Sequence, residues 1–179
     1  MKIKSFIYMM TSAVILLAGC GGGGASSGTP QPQVPTAAVV TLSTTGTVPS
    51  GDAIGGIDVT LNLPPGVTVK ATQNPPIPDT GVVVPQGTAA NASSGTSFLT
   101  TYTPGTPGKV RIQLISSYGI APNEAFALVN CDIASGSSPV PTDFTITPNT
   151  GVSPTGVIDV INNGAALPTV TINFSAVIR

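Results

Sequence analysis

Apolar and polar residues alternate strictly in four separate stretches of this 179-residue chain, and this pattern restricts the possible folds more than any other. In stretch 57–63, every odd-numbered position is apolar and every even-numbered one is polar. The stretches 109–114, 143–147 and 170–176 also alternate. Because the side chains of an extended strand point to opposite faces in turn, such a stretch buries one face and leaves the other in water. The pattern therefore predicts four half-buried β-strands.

Glycine and proline mark the turns between strands. The chain contains 21 glycines and 18 prolines, which disfavour helix interiors and favour turns. Clusters of these residues at 64–66, 104–108 and 148–151 separate the alternating stretches. Other apolar runs predict further strands at 38–44, 67–71, 81–84, 97–103, 125–133 and 156–160. The chain is therefore expected to be all-β, an antiparallel two-sheet β-sandwich of jelly-roll type with about nine strands.

The alternation changes phase within stretch 125–133. Phe126 and Leu128 share one phase, whereas the odd positions from 129 to 133 share the other. A β-bulge near Leu128, or a strand covered on both faces, would produce this change. Cys131 is expected to be a buried small hydrophobic residue, because it shares the phase of Val129 and Ile133. The alternative is a reactive thiol, but no basic residue lies nearby in the sequence to lower the pKa of Cys131.

The N-terminal segment is organised like an export signal. Lys2 and Lys4 precede a largely apolar run at 6–17, and the sequence Leu-Ala-Gly-Cys follows at 17–20. This motif resembles the lipobox of bacterial lipoproteins, and the resemblance implies cleavage before Cys20 and lipidation of that cysteine. The apolar run of about a dozen residues is shorter than the roughly 20 that a membrane-spanning helix needs. An ordinary secretion signal that contains a cysteine is the alternative.

This resemblance divides the chain into three parts. We expect residues 1–19 to form a signal helix, residues 20–36 a flexible linker rich in glycine, serine and proline, and residues 37–179 one compact domain. Two or more acyl chains on Cys20 would give stable membrane anchoring. Gly21 follows the cysteine in place of aspartate, a pattern that implies the outer membrane in a Gram-negative cell. We therefore expect a lipid-anchored protein of the cell envelope.

Charged residues are scarce, at 7% of the chain against about 25% in ordinary soluble domains. Beyond residue 19, seven carboxylates outnumber four cations, which are Lys70, Lys109, Arg111 and Arg179. This mildly acidic balance argues against nucleic acid as a partner, because binding to phosphates needs a basic patch.

The composition also argues against catalysis. The chain contains no histidine, so neither a Ser-His-Asp triad nor an imidazole metal site can be built from it. The carboxylates lack the spacing of a glycosidase pair or a calcium loop. We expect no enzymatic activity, no cofactor and no metal. A calcium site made by Asp132, Asp143 and Asp159 is the alternative to three separate surface aspartates.

Two segments resemble cohesin domains. Stretch 52–69 has a Gly-Gly pair at 55–56, then an alternating strand, a turn and a second strand, and stretch 123–133 places Asn-Glu before an apolar strand. The resemblance implies that residues 37–179 form a jelly-roll sandwich, a fold shared with several cellulose-binding modules, and that this sandwich binds a protein. The glycine pair is also compatible with a simple bend before the strand, and Glu124 with a turn cap.

A carbohydrate-binding module is the alternative function, because such modules share this fold and present aromatic rings to sugars. Phe126, Phe144 and Phe174 occupy apolar positions and are expected in the core. Tyr102 and Tyr118, each close to a glycine or proline turn, are the candidates for exposed rings. The sequence thus predicts a non-catalytic, lipid-anchored sandwich that binds an envelope or extracellular protein, or a polysaccharide through these tyrosines.

Overall fold

The structure is a computed structural model that describes residues 33–72, 74–91, 95–149, 151 and 153–179. The expected signal helix, Cys20 and the linker as far as residue 32 lie outside these residues. Gln33–Arg179 forms one compact unit. Its described part contains ten strands: β1 (Ala37–Gly46), β2 (Ile54–Leu63), β3 (Val67–Thr68), β4 (Val83–Pro85), β5 (Thr96–Thr103), β6 (Gly108–Ile120), β7 (Ala125–Ile133), β8 (Thr145–Pro148), β9 (Val157–Asp159) and β10 (Val170–Ile178).

The strands form two antiparallel sheets. The first has the order β10-β1-β7-β3, with β4 also paired to β7. The second has the order β5-β6-β2-β8, with β9 also paired to β2. Short 3₁₀ turns occur at Gly87–Ala90 and Pro141–Asp143, and no helix in the described part of the chain is long and apolar enough to cross a membrane. The prediction of an all-β, antiparallel two-sheet sandwich is confirmed, and its jelly-roll subtype stays a prediction.

The alternating stretches build the core between the sheets. In β2 the odd positions from Ile57 to Leu63 are almost completely buried, and in β6 Val110, Ile112 and Leu114 are completely buried. Side chains from β1 and β7 in the first sheet belong to the same apolar cluster. Phe126 and Phe144 are buried as expected, whereas Phe174 is half-buried because β10 is an edge strand.

The phase change in β7 comes from a β-bulge. Leu42 of β1 pairs with Ala127 and Ser43 pairs with Ala125, so Phe126 is the extra residue. Phe126 and Ala127 are therefore both buried although they are adjacent. The bulge lies two positions before the predicted one at Leu128.

The glycine pair at 55–56 lies inside β2, so the prediction of a bend before the strand is wrong. Ile54 pairs with Asp159 and Gly56 with the adjacent Ile158, which makes Gly55 an inserted residue at a bulge. A Cβ atom on Gly55 would lie 2.6 Å from the Cα atom of Val160. The absence of a side chain therefore lets the segment after β9 approach the backbone of β2.

Several predicted strands are shorter or shifted. The strand predicted at 67–71 ends at Thr68, because the chain then leaves the sheet. Asp143, predicted to begin a strand, ends a 3₁₀ turn, where its carboxylate accepts a hydrogen bond from the Val140 N–H at 2.9 Å. A turn cap thus replaces the first residue of the predicted strand.

Both ends of the compact unit lie side by side. The N–H groups of Thr36 and Ala37 donate to the Arg179 carbonyl at 2.8 and 3.1 Å, and Arg179 N–H donates to Ala37. We call this end of the sandwich the entry end. β2 also finishes there, because Val67, just after it, pairs with Ile133, whose N–H donates to the Thr36 carbonyl. β1 ends and β2 begins at the opposite, far end.

We expect Gly55→Ala to lower the free energy of unfolding by about 3 kcal/mol, because the new methyl group collides with the backbone of Val160. Chemical denaturation measures this change. Gly151→Ala is the matched control, since a Cβ atom there has no neighbour within 4 Å. Equal stability of the two variants would contradict the close approach.

Candidate functional site

The outer face of the second sheet combines apolar, charged and hydroxyl side chains in ordered rows. Strand register fixes the order of these rows from the far end to the entry end. The rows are Ser97, Ile115, Gly56 and Ile158; then Leu99, Gln113 and Asp58; then Thr101, Arg111, Thr60 and Thr147; then Thr103, Lys109, Asn62 and Thr145. We call these fifteen residues the outer face.

The far part of the outer face is apolar and notched. Leu99 is 56% exposed and Ile115 is 58% exposed, although both are large hydrophobic side chains. Gly56 separates Ile115 from Ile158 and leaves a small cavity of about 100 Å³, which Gln113 also lines. Exposed apolar side chains around a notch provide a surface on which another molecule can gain free energy by excluding water.

Asp58 organises the centre of the outer face. It projects from β2 and is only 4% exposed. Its carboxylate accepts hydrogen bonds from Arg111 Nε at 2.9 Å and Nη2 at 2.5 Å, from Gln113 Nε2 at 3.0 Å and from Asn149 Nδ2 at 2.6 Å. One carboxylate therefore connects β2, β6 and the turn after β8.

These bonds hold Asp58 ionised and Arg111 oriented. Burial alone would raise the pKa of Asp58, but hydrogen bonds from Arg111 and Asn149 outweigh it and lower that pKa. The hydrogen bond to Asp58 raises the pKa of Arg111. The Arg111 side chain remains 46% exposed, so its other N–H donors face solvent in a fixed direction. A guanidinium held in this way suits recognition of a carboxylate or carbonyl oxygen.

A second carboxylate, Asp159, has a structural role at the far end. It is 1% exposed and accepts hydrogen bonds from the N–H groups of Ala53 at 3.0 Å and Ile161 at 2.8 Å. Asn162 also donates to it, and bridges it to Asp52 through a second bond. Burial opposes ionisation of Asp159, but these hydrogen bonds lower its pKa. The carboxylate therefore links the loop before β2 to the loop after β9.

The calcium alternative is wrong for the part of the chain described. Asp159 is engaged by backbone N–H groups, Asp143 caps a 3₁₀ turn, and Asp132 lies exposed on β7. Among the described residues, no three acidic, cysteine or histidine side chains form a group that could hold a metal ion.

The two candidate tyrosines have different environments and lie at opposite ends of the second sheet. Tyr102 is 7% exposed, so the prediction that it is exposed is wrong. Its position in β5, opposite the buried Val110, directs the ring to the interior. Tyr118 is 79% exposed, as predicted, in an excursion of β6 that Gly119 permits with φ of 83°. Of these two tyrosines, only Tyr118 therefore presents an exposed ring.

Two further expectations are confirmed. Cys131 is buried, and this burial, with Asp132 nearby, raises the pKa of its thiol to about 12. The polar residues before β7 stabilise turns. The Asn123 side chain, in a residue with φ of 61°, accepts a hydrogen bond from the Gly46 N–H and donates one to the Gly46 carbonyl. Glu124 accepts a hydrogen bond from the Thr88 N–H at 2.8 Å. Both polar residues therefore stabilise turns.

No protein-family model, curated protein or solved structure matches this chain. The outer face is a candidate site that was not predicted from the sequence. The available signal was the charged and amide residues at alternate positions of two strands, Asp58 in one and Arg111 and Gln113 in the other.

Stability should depend on pH through Asp58. Its pKa in the folded state lies below the ordinary aspartate value of about 3.9, so its contribution is complete above about pH 5 and is lost as the pH falls through the folded pKa. We expect Asp58→Asn to cost roughly 1–2 kcal/mol at pH 7 and less at pH 2.5. Chemical denaturation at several pH values measures both effects.

The exposed Asp132 provides the matched control. Asp132→Asn should leave the free energy of unfolding close to that of the unmodified chain across the same pH range. If the loss caused by Asp58→Asn were equally large at pH 7 and pH 2.5, the ionised Asp58 would have no special role.

Proposed function

We propose that this chain is a lipid-anchored cell-envelope protein that displays a non-catalytic, cohesin-like β-sandwich for protein–protein interaction or envelope structure. The lipobox-like sequence at 17–20 supports the anchor, with lipid on Cys20, and Gly21 supports the outer membrane in a Gram-negative cell. A linker rich in glycine, serine and proline, such as residues 20–36, would let the sandwich reach partners near the membrane surface.

The composition of the outer face supports a protein partner. Protein interfaces are enriched in arginine and have an apolar core, and their energetically important side chains are surrounded by residues that exclude water. Leu99 and Ile115 are exposed beside the oriented Arg111, and threonines surround this group. A partner with an apolar side chain for the notch at Gly56 and an acidic or carbonyl group for Arg111 would match this surface. This combination is the observation that carries the proposal.

The state of the reactive groups supports a role in binding. A thiol with a pKa of about 12, such as that of Cys131, is protonated at neutral pH and therefore a poor nucleophile. The buried carboxylates of Asp58 and Asp159 are both occupied by hydrogen bonds within the domain. The chain also contains no histidine to act as a general base.

A tethered carbohydrate-binding module is the second candidate, and the exposure of Tyr118 favours it. A tyrosine ring that is 79% exposed can stack on the CH groups of a sugar. Because Tyr102 is buried, Tyr118 would act without the second ring that was expected. A single ring favours weak polysaccharide binding, so the protein partner remains the first proposal.

Replacing Cys20 tests the anchor. We expect Cys20→Ser to abolish incorporation of radiolabelled palmitate and to release the protein from the membrane fraction, because the acceptor of the lipid is gone. Cys131→Ser is the matched control and should retain the label, since Cys131 is buried in the domain. Persistent labelling of the Cys20→Ser chain would contradict lipidation at this residue.

The outer face is tested by replacing its two exposed apolar side chains. We expect Leu99→Ser with Ile115→Ser to reduce cross-linking of the full chain to envelope proteins in cells at least tenfold, because the apolar contact is lost. Val140→Ser is the control, since Val140 is also exposed, at 49%, but is not one of the fifteen residues of the outer face.

A glycan array separates the two candidate functions. Glycan binding that Tyr118→Ala abolishes and Leu99→Ser leaves intact would favour the carbohydrate-binding module. Loss of protein cross-linking in the outer-face variant, without glycan binding by the unmodified chain, supports the protein partner. Unchanged protein cross-linking in that variant would contradict a role for this face.

A further inference from the structure

Strand β10 forms a long and uncharged edge of the first sheet. It runs from Val170 to Ile178, and every one of its nine residues pairs with β1 on one side only. Edge strands of soluble proteins are usually protected by charges, proline or a bulge, because their free backbone groups can pair with another chain. The sequence of β10 contains none of these protective features.

The hydrogen-bonding pattern shows which backbone groups are free. Ala37 and Arg179 exchange two hydrogen bonds, so the odd-numbered residues of β10 bond to β1. The N–H and carbonyl groups of the even-numbered residues therefore point away from β1. Within the described part of the chain, Ile172, Phe174, Ala176 and Ile178 have no backbone partner on that side.

The same even-numbered residues carry apolar side chains toward the interior. Phe174, Ala176 and Ile178 pack against the core but remain half-buried, since no strand continues the sheet beside them. A cavity of about 490 Å³ adjoins Ile178, next to Pro35. The 3₁₀ turn Pro141–Asp143 approaches β10 without contributing a backbone hydrogen bond to it. The edge is therefore suited to accept an uncharged strand that alternates apolar and polar residues.

We propose that β10 pairs with β10 of a second copy of this chain, antiparallel and centred on Phe174. Phe174 is the midpoint of the strand, and the free backbone groups of Ile172, Phe174 and Ala176 are symmetric about it. A two-fold axis through this point pairs Phe174 with Phe174 and Ile172 with Ala176 of the other copy, so the free backbone groups of these three residues are all bonded. Ile178 lies opposite Val170, whose N–H already donates to the Leu167 carbonyl. This inference is independent of the function proposed for the outer face.

Side-chain size and charge fit this register. Ile172 of one copy lies opposite Ala176 of the other, so a large side chain meets a small one, and the two Phe174 rings meet at the axis. On the solvent side, Asn173 lies opposite Ser175. No charged residue of β10 opposes another, so the two copies meet without electrostatic repulsion.

Cysteine cross-linking of the full-length chain in membranes tests the register. In a non-hydrogen-bonded antiparallel pair the Cα atoms are about 4.5 Å apart, which a disulfide can span. We expect Asn173→Cys mixed with Ser175→Cys to form disulfide-linked dimers under mild oxidation. Each variant alone should not, because the register separates its two copies of the new cysteine by about 7 Å along the strand.

Charges introduced on the exposed side of β10 supply a matched pair of variants. Asn173→Lys with Ser175→Lys places like charges opposite each other across the axis and should weaken dimerisation at least tenfold in sedimentation experiments on the detergent-solubilised full chain. Asn173→Lys with Ser175→Glu places opposite charges there and should preserve the dimer. Both variants change the same two exposed positions, so differences in folding are controlled.

The unmodified chain, whose cysteines are Cys20 and Cys131, controls for cross-links through native thiols. Dimers in the mixture alone, together with a weaker dimer for the lysine pair, support the proposal. A monomeric unmodified chain, a cross-link in either single variant, or equal dimerisation of the two charge variants would overturn it.

Discussion

The second sheet depends on the pairing of β2 along both of its edges. β6 occupies one edge over its length, while β8 and β9 share the other. This arrangement requires backbone to approach closely at the bulge, which Gly55 allows. It also places Asp58 between donors from two sides, so that a carboxylate on the outer surface of a sheet becomes almost fully buried. The orientation of Arg111 follows from that burial.

The sequence predicted the sandwich well where strands are half-buried, because alternation in β2, β6 and β10 records directly which face meets the core. It predicted less well where the backbone deviates from regular pairing. Gly55 and Phe126 are bulge residues, and a bulge depends on the neighbouring strand, which local patterns do not contain. Tyr102 was misplaced for a related reason, since its proximity to a turn suggested exposure while its phase in β5 places it inside.

The candidate site was beyond prediction because it is assembled from several strands. Asp58 and Arg111 are 53 residues apart in the chain, and only the register of β2 against β6 brings them together. The notch beside Ile115 likewise requires Gly56 and Ile158 from two further strands. By contrast, the lipobox-like motif is local, so the sequence alone suffices to propose the anchor. The proposed anchor can thus be read from one short segment of sequence, whereas the candidate binding surface can be read only from the folded structure.

The position of β1 has a mechanical consequence. The chain enters the sandwich at residue 36 and continues directly into β1, which is hydrogen-bonded to β10 on one side and β7 on the other. A pulling force applied at residue 36 and directed along β1 therefore shears two ladders of hydrogen bonds at once, whereas a force on an edge strand can open a single ladder bond by bond. The proposed N-terminal anchor would therefore load the sandwich through a strand that is paired on both sides.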